Sequence, residues 1–213
     1  GLNSPFDALT HAVEAYTAVD NETFPLPEGE RTVYQGRHPL ADVLAEQAIR
    51  EIGRHLRRAV SDGSDLEART GMSLAATSAG LSFSNVGVAV VHALEYALNE
   101  VAHTAHGRGC GLLLPFVMRF NMSACLPQTA RIAALLGEDV TGLDEQTAAG
   151  RAVDAVERLK ADIGIPNTMS DVGVTAEQVP QMAEKAFALK RILRVNPRPV
   201  TQDDLAEILR SAL

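Results

Sequence analysis

Apolar residues recur at intervals of three and four along most of the chain, which is the spacing of one face of an α-helix. The segment 40–60 shows this most clearly, with an apolar stripe formed by Val43, Leu44, Ala48, Ile52 and Leu56. The same spacing predicts helices over residues 4–18, 66–81, 86–99, 127–136, 150–163, 176–189 and 202–213. The apolar run 112–117 within residues 107–122 fits a strand or a buried helix, and its helical surroundings favour a helix. Because no segment alternates convincingly with a period of two, we predict an all-α fold, a compact multi-helix bundle.

Turn-forming residues mark several of the predicted boundaries. Ser4 fits the N-cap and Pro5 the first position of the first helix. The polar segment 20–39 is rich in proline and glycine and predicts a long loop. The residues 83–85, Phe-Ser-Asn, predict a turn between two buried helices.

The stretch from Gly71 to Leu94 contains no charged residue and is long enough to span a bilayer. Serine, threonine, asparagine and glycine residues interrupt it, however, and its predicted turn lies near the middle. We therefore interpret it as a pair of core helices and expect no membrane association.

Composition narrows the class of protein further. The chain has 213 residues, of which 46% are hydrophobic and 22% charged, as in ordinary soluble globular proteins. Its net charge of −8 argues against nucleic acid and anionic membranes as partners, since both are negatively charged. Cys110 and Cys125 form no CxxC pair, and residues 1–19 lack the pattern of a signal peptide. We expect a cytoplasmic protein.

The organisation of the chain suggests one domain. There is no G-x-G-x-x-G and no P-loop lysine motif, so we predict no dinucleotide site within it. The sequence has no initiator methionine and opens almost directly on a helix signal. We interpret residues 1–213 as one helical domain of a longer protein.

Asp7 and His11 are four residues apart, so they project from one face of the first predicted helix. Most other positions of this helix are apolar, so the pair is expected to be largely buried and to need a partner. A metal ion is one such partner. The alternative is an acid that caps the helix from its third position and pairs with the histidine, and this cluster alone favours that alternative.

His92 lies near the end of the charge-free stretch, and His106 follows it by 14 residues. On one continuous helix the two would be roughly 21 Å apart, so they meet only if the chain turns between them. Taken alone, each is explained at least as well by a core or helix-boundary histidine. His103 competes with His106, whereas we expect His38 and His55 to be solvated.

Together the two clusters resemble the iron-containing alcohol dehydrogenase family. Residues 6–16 are similar to the family's first metal-binding segment, in which an aspartate and the histidine four positions later are ligands. Residues 83–94 and His106-Gly107 are similar to the second segment, and residues 196–201 to the loop before the last helix. The resemblance covers essentially the whole chain and implies a helical, dehydroquinate synthase-like C-terminal domain.

The resemblance also implies the chemistry. Four residues would hold one divalent metal, Fe²⁺ or Zn²⁺: Asp7, His11, His92 and His106. Such an ion polarises a carbonyl or stabilises an alkoxide, while hydride passes to NAD(P). The nicotinamide cofactor would be bound mainly by a domain upstream of this chain. The implied substrates are small alcohols, aldehydes or hydroxy acids, and a homo-oligomer is possible.

One position departs from the family pattern. Many members carry a second histidine four residues after the first of the second segment, where this chain has Tyr96. We expect Tyr96 to border the substrate pocket as the candidate catalytic residue and to orient the substrate oxygen without being indispensable for proton transfer. The alternative is a packing aromatic whose hydroxyl is satisfied by a neighbour. A tyrosine here, together with residues 34–42, is similar to the hydroxyacid–oxoacid transhydrogenase branch. The spacing of 14 is shorter than in that branch, so transhydrogenase is the second prediction.

Two further alternatives belong to other classes. The chain is a non-catalytic helical interaction or scaffold domain if no nucleotide-binding domain accompanies it. A metal lyase related to dehydroquinate synthase would need a glutamate ligand and several basic residues for phosphate. Because the basic residues do not cluster around the histidines, the lyase ranks last.

Overall fold

The structure, a computed structural model, describes the backbone of residues 4–213 and the side chains of residues 6–213. Over this range the fold consists of ten α-helices and four short 3₁₀ segments, without a β-strand, which confirms the predicted all-α class. The helices are α1 (Ser4–Thr17), α2 (Pro39–Ser61), α3 (Leu66–Val86), α4 (Val90–Ala102), α5 (His106–Asn121), α6 (Leu126–Leu135), α7 (Glu145–Asp162), α8 (Val179–Ala188), α9 (Lys190–Leu193) and α10 (Gln202–Ser211). The roles predicted for the Ser4 and Pro5 side chains lie outside the described residues.

Helix α1 is the centre of the bundle, since it contacts α2, α3, α5 and α6. Its apolar side chains Phe6, Leu9 and Val13 are almost completely buried. Helices α2 and α3 form an antiparallel pair, because the hydroxyl of Ser82 near the end of α3 donates to the carbonyl of Ala41 at the start of α2. A polar group placed on α1 therefore lies at the core rather than at the surface.

The predicted turn at residues 83–85 is wrong, because α3 continues through these residues to Val86. The chain breaks instead at Gly87, whose φ of +107° lies in the left-handed region that favours glycine. A Cβ there would lie 2.8 Å from the Val195 side chain and 2.9 Å from Tyr34. Close packing and backbone conformation thus place the break two residues after the end of the predicted turn.

Helix α3 is less buried than predicted. Leu74 and Leu81 are 48% and 54% exposed, so one side of this helix faces solvent in the chain, including its part from Gly71 onward that carries no charge. Only α4, beyond the break, is buried along most of its length.

None of the described helices is by itself long and apolar enough to cross a membrane; α3 and α4 meet that criterion only as a pair, bent by 103°.

Two histidines expected to be solvated have structural contacts instead. His38 is the N-cap of α2, where its Nδ1 accepts a hydrogen bond from the backbone N–H of Ala41 at 3.3 Å. The His55 side chain is only 13% exposed and lies 3.2 Å from the carboxylate of Glu51. A Cβ on Gly71 would collide with the His55 ring, so the absence of a side chain at Gly71 leaves the space that this imidazole fills.

Candidate metal centre

Three helices bring the predicted ligand residues together. Helix α1 carries Asp7 and His11, His92 lies in the first turn of α4, and His106 is the first residue of α5. The chain turns between the last two at His103, which ends α4 with a φ of +48°. As a result the His92 and His106 rings lie 5.4 Å apart, centroid to centroid, despite their separation in sequence.

Three donor atoms converge on one point. The Oδ1 atom of Asp7 lies 3.5 Å from Nε2 of His92 and 3.5 Å from Nε2 of His106. Two ligands held at about 2.0–2.1 Å on a tetrahedral ion are about 3.3–3.4 Å apart, so these separations fit one metal. Asp7 Oδ1 and His92 Nε2 are both buried without a hydrogen-bond partner. Burying such atoms unsatisfied is costly, and a bound divalent cation would satisfy both.

His11 lies beside this group rather than at its centre. Its Nε2 is 3.8 Å from Oδ1 of Asp7. Its ring stacks on Phe83 at 3.9 Å and on His92 at 4.6 Å, nearly parallel to both. Among the described residues, the donors that lie within 4.8 Å of one another come from Asp7, His92, His106 and Cys110. His11 is adjacent to this group and remains a predicted ligand.

A buried carboxylate contacts His92, and another contacts His106, in each case at the ring nitrogen that faces away from the other donors. Oε2 of Glu14 lies 2.6 Å from Nδ1 of His92, and Oε2 of Glu95 lies 2.5 Å from Nδ1 of His106. When Nδ1 carries the proton and donates it to a carboxylate, the Nε2 lone pair is left for a metal. Both rings thus present the same nitrogen to the same point.

Glu14 has a second role at the start of α4. This helix has no side-chain cap of its own, and Glu14 accepts hydrogen bonds from the backbone N–H groups of Ala89 and Val91 at 2.8 and 2.6 Å. A carboxylate at a helix N-terminus also interacts favourably with the helix dipole. One α1 side chain therefore fixes both the beginning of α4 and the orientation of His92.

The electrostatics of the cluster favour positive charge at its centre. Burial opposes protonation of His92, but the carboxylates of Glu14 and Asp7 outweigh it and raise its pKa well above the usual value. Contact with the Cys110 sulfur and with Glu95 raises the pKa of His106 to about 10. Burial and the neighbouring His92 lower the pKa of His11 to about 4, which keeps that imidazole neutral. The carboxylates thus suit the site to a cation.

Tyr96 and His106 mark the accessible side of the centre. The Tyr96 ring stacks on the His106 ring at 5.9 Å and lies 6.5 Å from the His92 ring. Tyr96 is 47% exposed and the His106 side chain 38%, whereas the His92 side chain is 2% exposed. Burial raises the pKa of the Tyr96 phenol, so the hydroxyl is protonated at neutral pH. A small molecule that reaches the donors from this side meets Tyr96 first.

Sequence reasoning did not single out Glu14, Glu95 or Cys110. A signal for each was present: Glu14 follows His11 by one helical turn, Glu95 is an acid at the edge of a charge-free core segment, and Cys110 follows His106 by one turn. Only the three-dimensional arrangement shows that all three contact the histidines predicted to be ligands.

The comparisons with known proteins place the chain in a family. The model of the Fe-containing alcohol dehydrogenase family, C-terminal, matches residues 30–213. The chain belongs to the Fe-containing alcohol dehydrogenase family, as the sequence resemblance predicted.

Individual relatives agree with this assignment. The 1,3-propanediol dehydrogenase of Klebsiella pneumoniae is 40% identical over 206 residues, which are 97% of this chain and 49% of that protein. The solved alcohol dehydrogenase from Oenococcus oeni superimposes with a TM-score of 0.89 at 33% identity, covering 100% of this chain and 51% of that one. A mitochondrial hydroxyacid–oxoacid transhydrogenase of Xenopus tropicalis is 30% identical over 227 residues, 99% of this chain and 49% of that protein. The chain thus spans about half the length of the relatives it matches.

Proposed function

We propose that this chain is the metal-binding, catalytic domain of a nicotinamide-linked alcohol dehydrogenase that interconverts alcohols and aldehydes. The observation that carries the proposal is the convergence of Asp7, His92 and His106 donors on one point, with two of those atoms buried and unsatisfied. Family membership and the names of the relatives support the reaction class.

Each residue has a part in this proposal. Asp7, His11, His92 and His106 would hold the divalent ion, and Glu14 and Glu95 would keep the last two rings oriented. When bound, the ion supplies Lewis-acid polarisation of the substrate oxygen and lowers the pKa of an alcohol hydroxyl. Fe²⁺ and Zn²⁺ both suit imidazole and carboxylate donors.

Tyr96 would line the substrate pocket next to His106. Its ring covers the exposed side of His106, and its protonated hydroxyl is a hydrogen-bond donor for the substrate oxygen. We assign it a part in orienting the substrate rather than in abstracting a proton, because a phenol with a raised pKa is a poor general base at neutral pH.

In this proposal, binding of the nicotinamide cofactor requires a part of the polypeptide outside residues 1–213. The chain has no dinucleotide motif and spans about half of its relatives' length, so NAD(P) would be bound mainly by a nucleotide-binding domain encoded upstream. Residues 1–213 would then form the helical domain alone.

The test is elemental analysis of the purified chain, together with nicotinamide turnover by the full-length polypeptide on a panel of alcohols and hydroxy acids. We expect about one divalent metal per chain and turnover that is lost in Asp7→Ala. A chain that binds no divalent metal, or a full-length protein whose nicotinamide turnover does not depend on Asp7, contradicts the proposal.

A hydroxyacid–oxoacid transhydrogenase is the second candidate function. The relative from Xenopus tropicalis and the tyrosine at position 96 favour it. The two reactions are distinguishable, since a transhydrogenase transfers hydride between a hydroxy acid and an oxo acid without net change in added NAD(P). Exchange that proceeds without free nicotinamide turnover would support this second candidate.

A further inference from the structure

We infer that Cys110 is a direct ligand of the divalent ion, its sulfur joining the donors of Asp7, His92 and His106. The inference rests on the metal site of the proposed function and adds to its four donors, from Asp7, His11, His92 and His106, a fifth donor of a different chemical kind. Cys110 lies one helical turn after His106 on α5, so the two side chains project from the same face. Its side chain is completely buried, and the polar contact of its sulfur is with Nε2 of His106.

The distances agree with shared coordination. Sγ of Cys110 lies 3.8 Å from Nε2 of His106, and it lies within 4.8 Å of the donor atoms of Asp7 and His92. A sulfur at about 2.3 Å and a nitrogen at about 2.0–2.1 Å from one ion are about 3.5–3.6 Å apart when the angle between them at the metal is about 110°. The observed separation is thus close to that of two ligands on one metal.

A second observation points independently to a ligand at this place. The His92 side chain is 2% exposed, and its Nε2 is buried without a hydrogen-bond partner while facing the same group of donors. Its other nitrogen is already bonded to Glu14, so the ring cannot turn to satisfy Nε2 without losing that bond. A cation placed between His92, His106, Asp7 and Cys110 satisfies the nitrogen and replaces the contact between the thiol and His106 with a sulfur–metal bond.

Coordination by Cys110 changes the charge and chemistry of the site. Binding breaks the S–H bond, forms a sulfur–metal bond and releases one proton to solvent, with no change in oxidation state. A thiolate and a carboxylate together neutralise a divalent ion, whereas the carboxylate alone leaves a net charge of about +1. The soft sulfur donor shifts the preference of the site towards Zn²⁺ and Co²⁺ relative to Fe²⁺.

The test is Co²⁺ bound to the metal-free 213-residue chain under anaerobic conditions. We expect a thiolate-to-cobalt charge-transfer band in the near ultraviolet in addition to the visible bands of bound Co²⁺. Cys110→Ser and Cys110→Ala should lose the near-ultraviolet band and keep the visible bands.

Cys125 provides the matched control. It is the other cysteine of the chain, it is also buried, and its Sγ donates to the carbonyl of Asn121 at 3.3 Å beside Thr129. Cys125→Ser should therefore retain the charge-transfer band. Visible bands without the near-ultraviolet band in the unmodified chain, or a band that survives in Cys110→Ala, overturn the inference but not the metal site. Failure of the chain to bind Co²⁺ at all overturns both.

X-ray absorption on the Zn²⁺-loaded unmodified chain gives an answer that needs no variant to fold. We expect one sulfur neighbour at about 2.3 Å alongside nitrogen and oxygen neighbours at about 2.0–2.1 Å. A zinc site fitted by nitrogen and oxygen alone rules out Cys110 as a ligand.

Discussion

Nδ1 of His92 lies 2.6 Å from Oε2 of Glu14, although the two residues are 78 positions apart in the chain. The same carboxylate accepts hydrogen bonds from two backbone N–H groups at the start of α4. Orientation of a predicted ligand and formation of the helix that carries it are thus coupled through a single α1 side chain. Disturbing Glu14 should affect metal binding without removing any ligand.

We predict that Glu14→Gln weakens metal binding by about ten- to hundredfold, the usual effect of losing a partner behind a ligand histidine. The amide has one acceptor oxygen where the carboxylate has two, and it carries no charge. Competition with a chromophoric chelator measures the metal affinity. Glu184→Gln, on the exposed side of α8, is the control and should bind metal as the unmodified chain does. An unchanged affinity in Glu14→Gln would show that His92 needs no such support.

The predicted metal ligands show which features of the fold and site could be predicted from the sequence. The i, i+4 pair Asp7 and His11 and the 14-residue spacing of His92 and His106 marked the candidates, and the family resemblance predicted that the four form one site. Local periodicity also predicted most helices within a few residues of their bounds. The helices and the Asp7–His11 pair depend on spacing along one helix, which the sequence shows directly.

What the sequence did not show depends on contacts between distant segments. Glu14 caps a helix 75 residues away, and Gly87 ends α3 because Tyr34 and Val195 leave no space for a side chain. The short helix α9 and the burial of His55 against Gly71 likewise follow from packing. No local pattern encodes such relationships, so they appear only once the helices are assembled.

A second prediction tests whether His106 or His103 is the metal ligand. Zn²⁺ at a free concentration a hundredfold above its Kd should raise the Tm of the metal-free chain by about 5–10 °C. His103→Ala should keep this shift, because His103 is exposed at the end of α4. His106→Ala should lose most of it, since it removes a donor that lies 3.5 Å from Asp7. A shift that persists in His106→Ala and vanishes in His103→Ala would reverse the assignment. Differential scanning fluorimetry is sufficient for this comparison.

A third prediction concerns a residue that contacts Glu95 rather than the metal. A Cβ on Gly109 would lie 2.9 Å from Cγ and 3.1 Å from Oε1 of Glu95. Gly109→Ala should displace this carboxylate from His106, lowering stability by about 1–3 kcal/mol and metal affinity by about tenfold. Gly150→Ala is the matched control in α7, where a Cβ would meet nothing within 4 Å. It should raise stability by about 0.5–1 kcal/mol and leave metal affinity unchanged. Chemical denaturation and chelator competition measure both quantities.

A fourth prediction uses pH to test how α1 is held in place. Tyr16 of α1 donates a hydrogen bond to Glu46 at 2.8 Å, and Arg131 of α6 lies 3.1 Å from the same carboxylate. Burial opposes ionisation of Glu46, but the hydrogen bonds from Arg131 and Tyr16 outweigh it and lower its pKa. A carboxyl whose pKa is lowered by folding contributes stability above its unfolded pKa of about 4.3 and loses it as the pH falls through the folded value.

Glu46→Gln should therefore lower the free energy of unfolding by about 1–2 kcal/mol at pH 7, with a difference that shrinks below about pH 4. Urea denaturation across this pH range measures it. A difference that is the same at pH 3 and pH 7 would mean that the charge of Glu46 contributes nothing and that only packing was lost.

The last prediction concerns Tyr96, which is half-exposed and whose ring stacks on the His106 ring. Tyr96→Phe keeps the ring and removes only the hydroxyl. Because burial raises the pKa of this phenol, it is not suited to take a proton at neutral pH, and its loss should change turnover by no more than about tenfold, or 1.4 kcal/mol of barrier. Tyr96→Ala should cost more, since it also uncovers the His106 ring. The measurement is steady-state turnover of the full-length enzyme, with metal content determined on the same samples. A thousandfold loss in Tyr96→Phe at full metal occupancy would instead assign the hydroxyl a direct part in proton transfer.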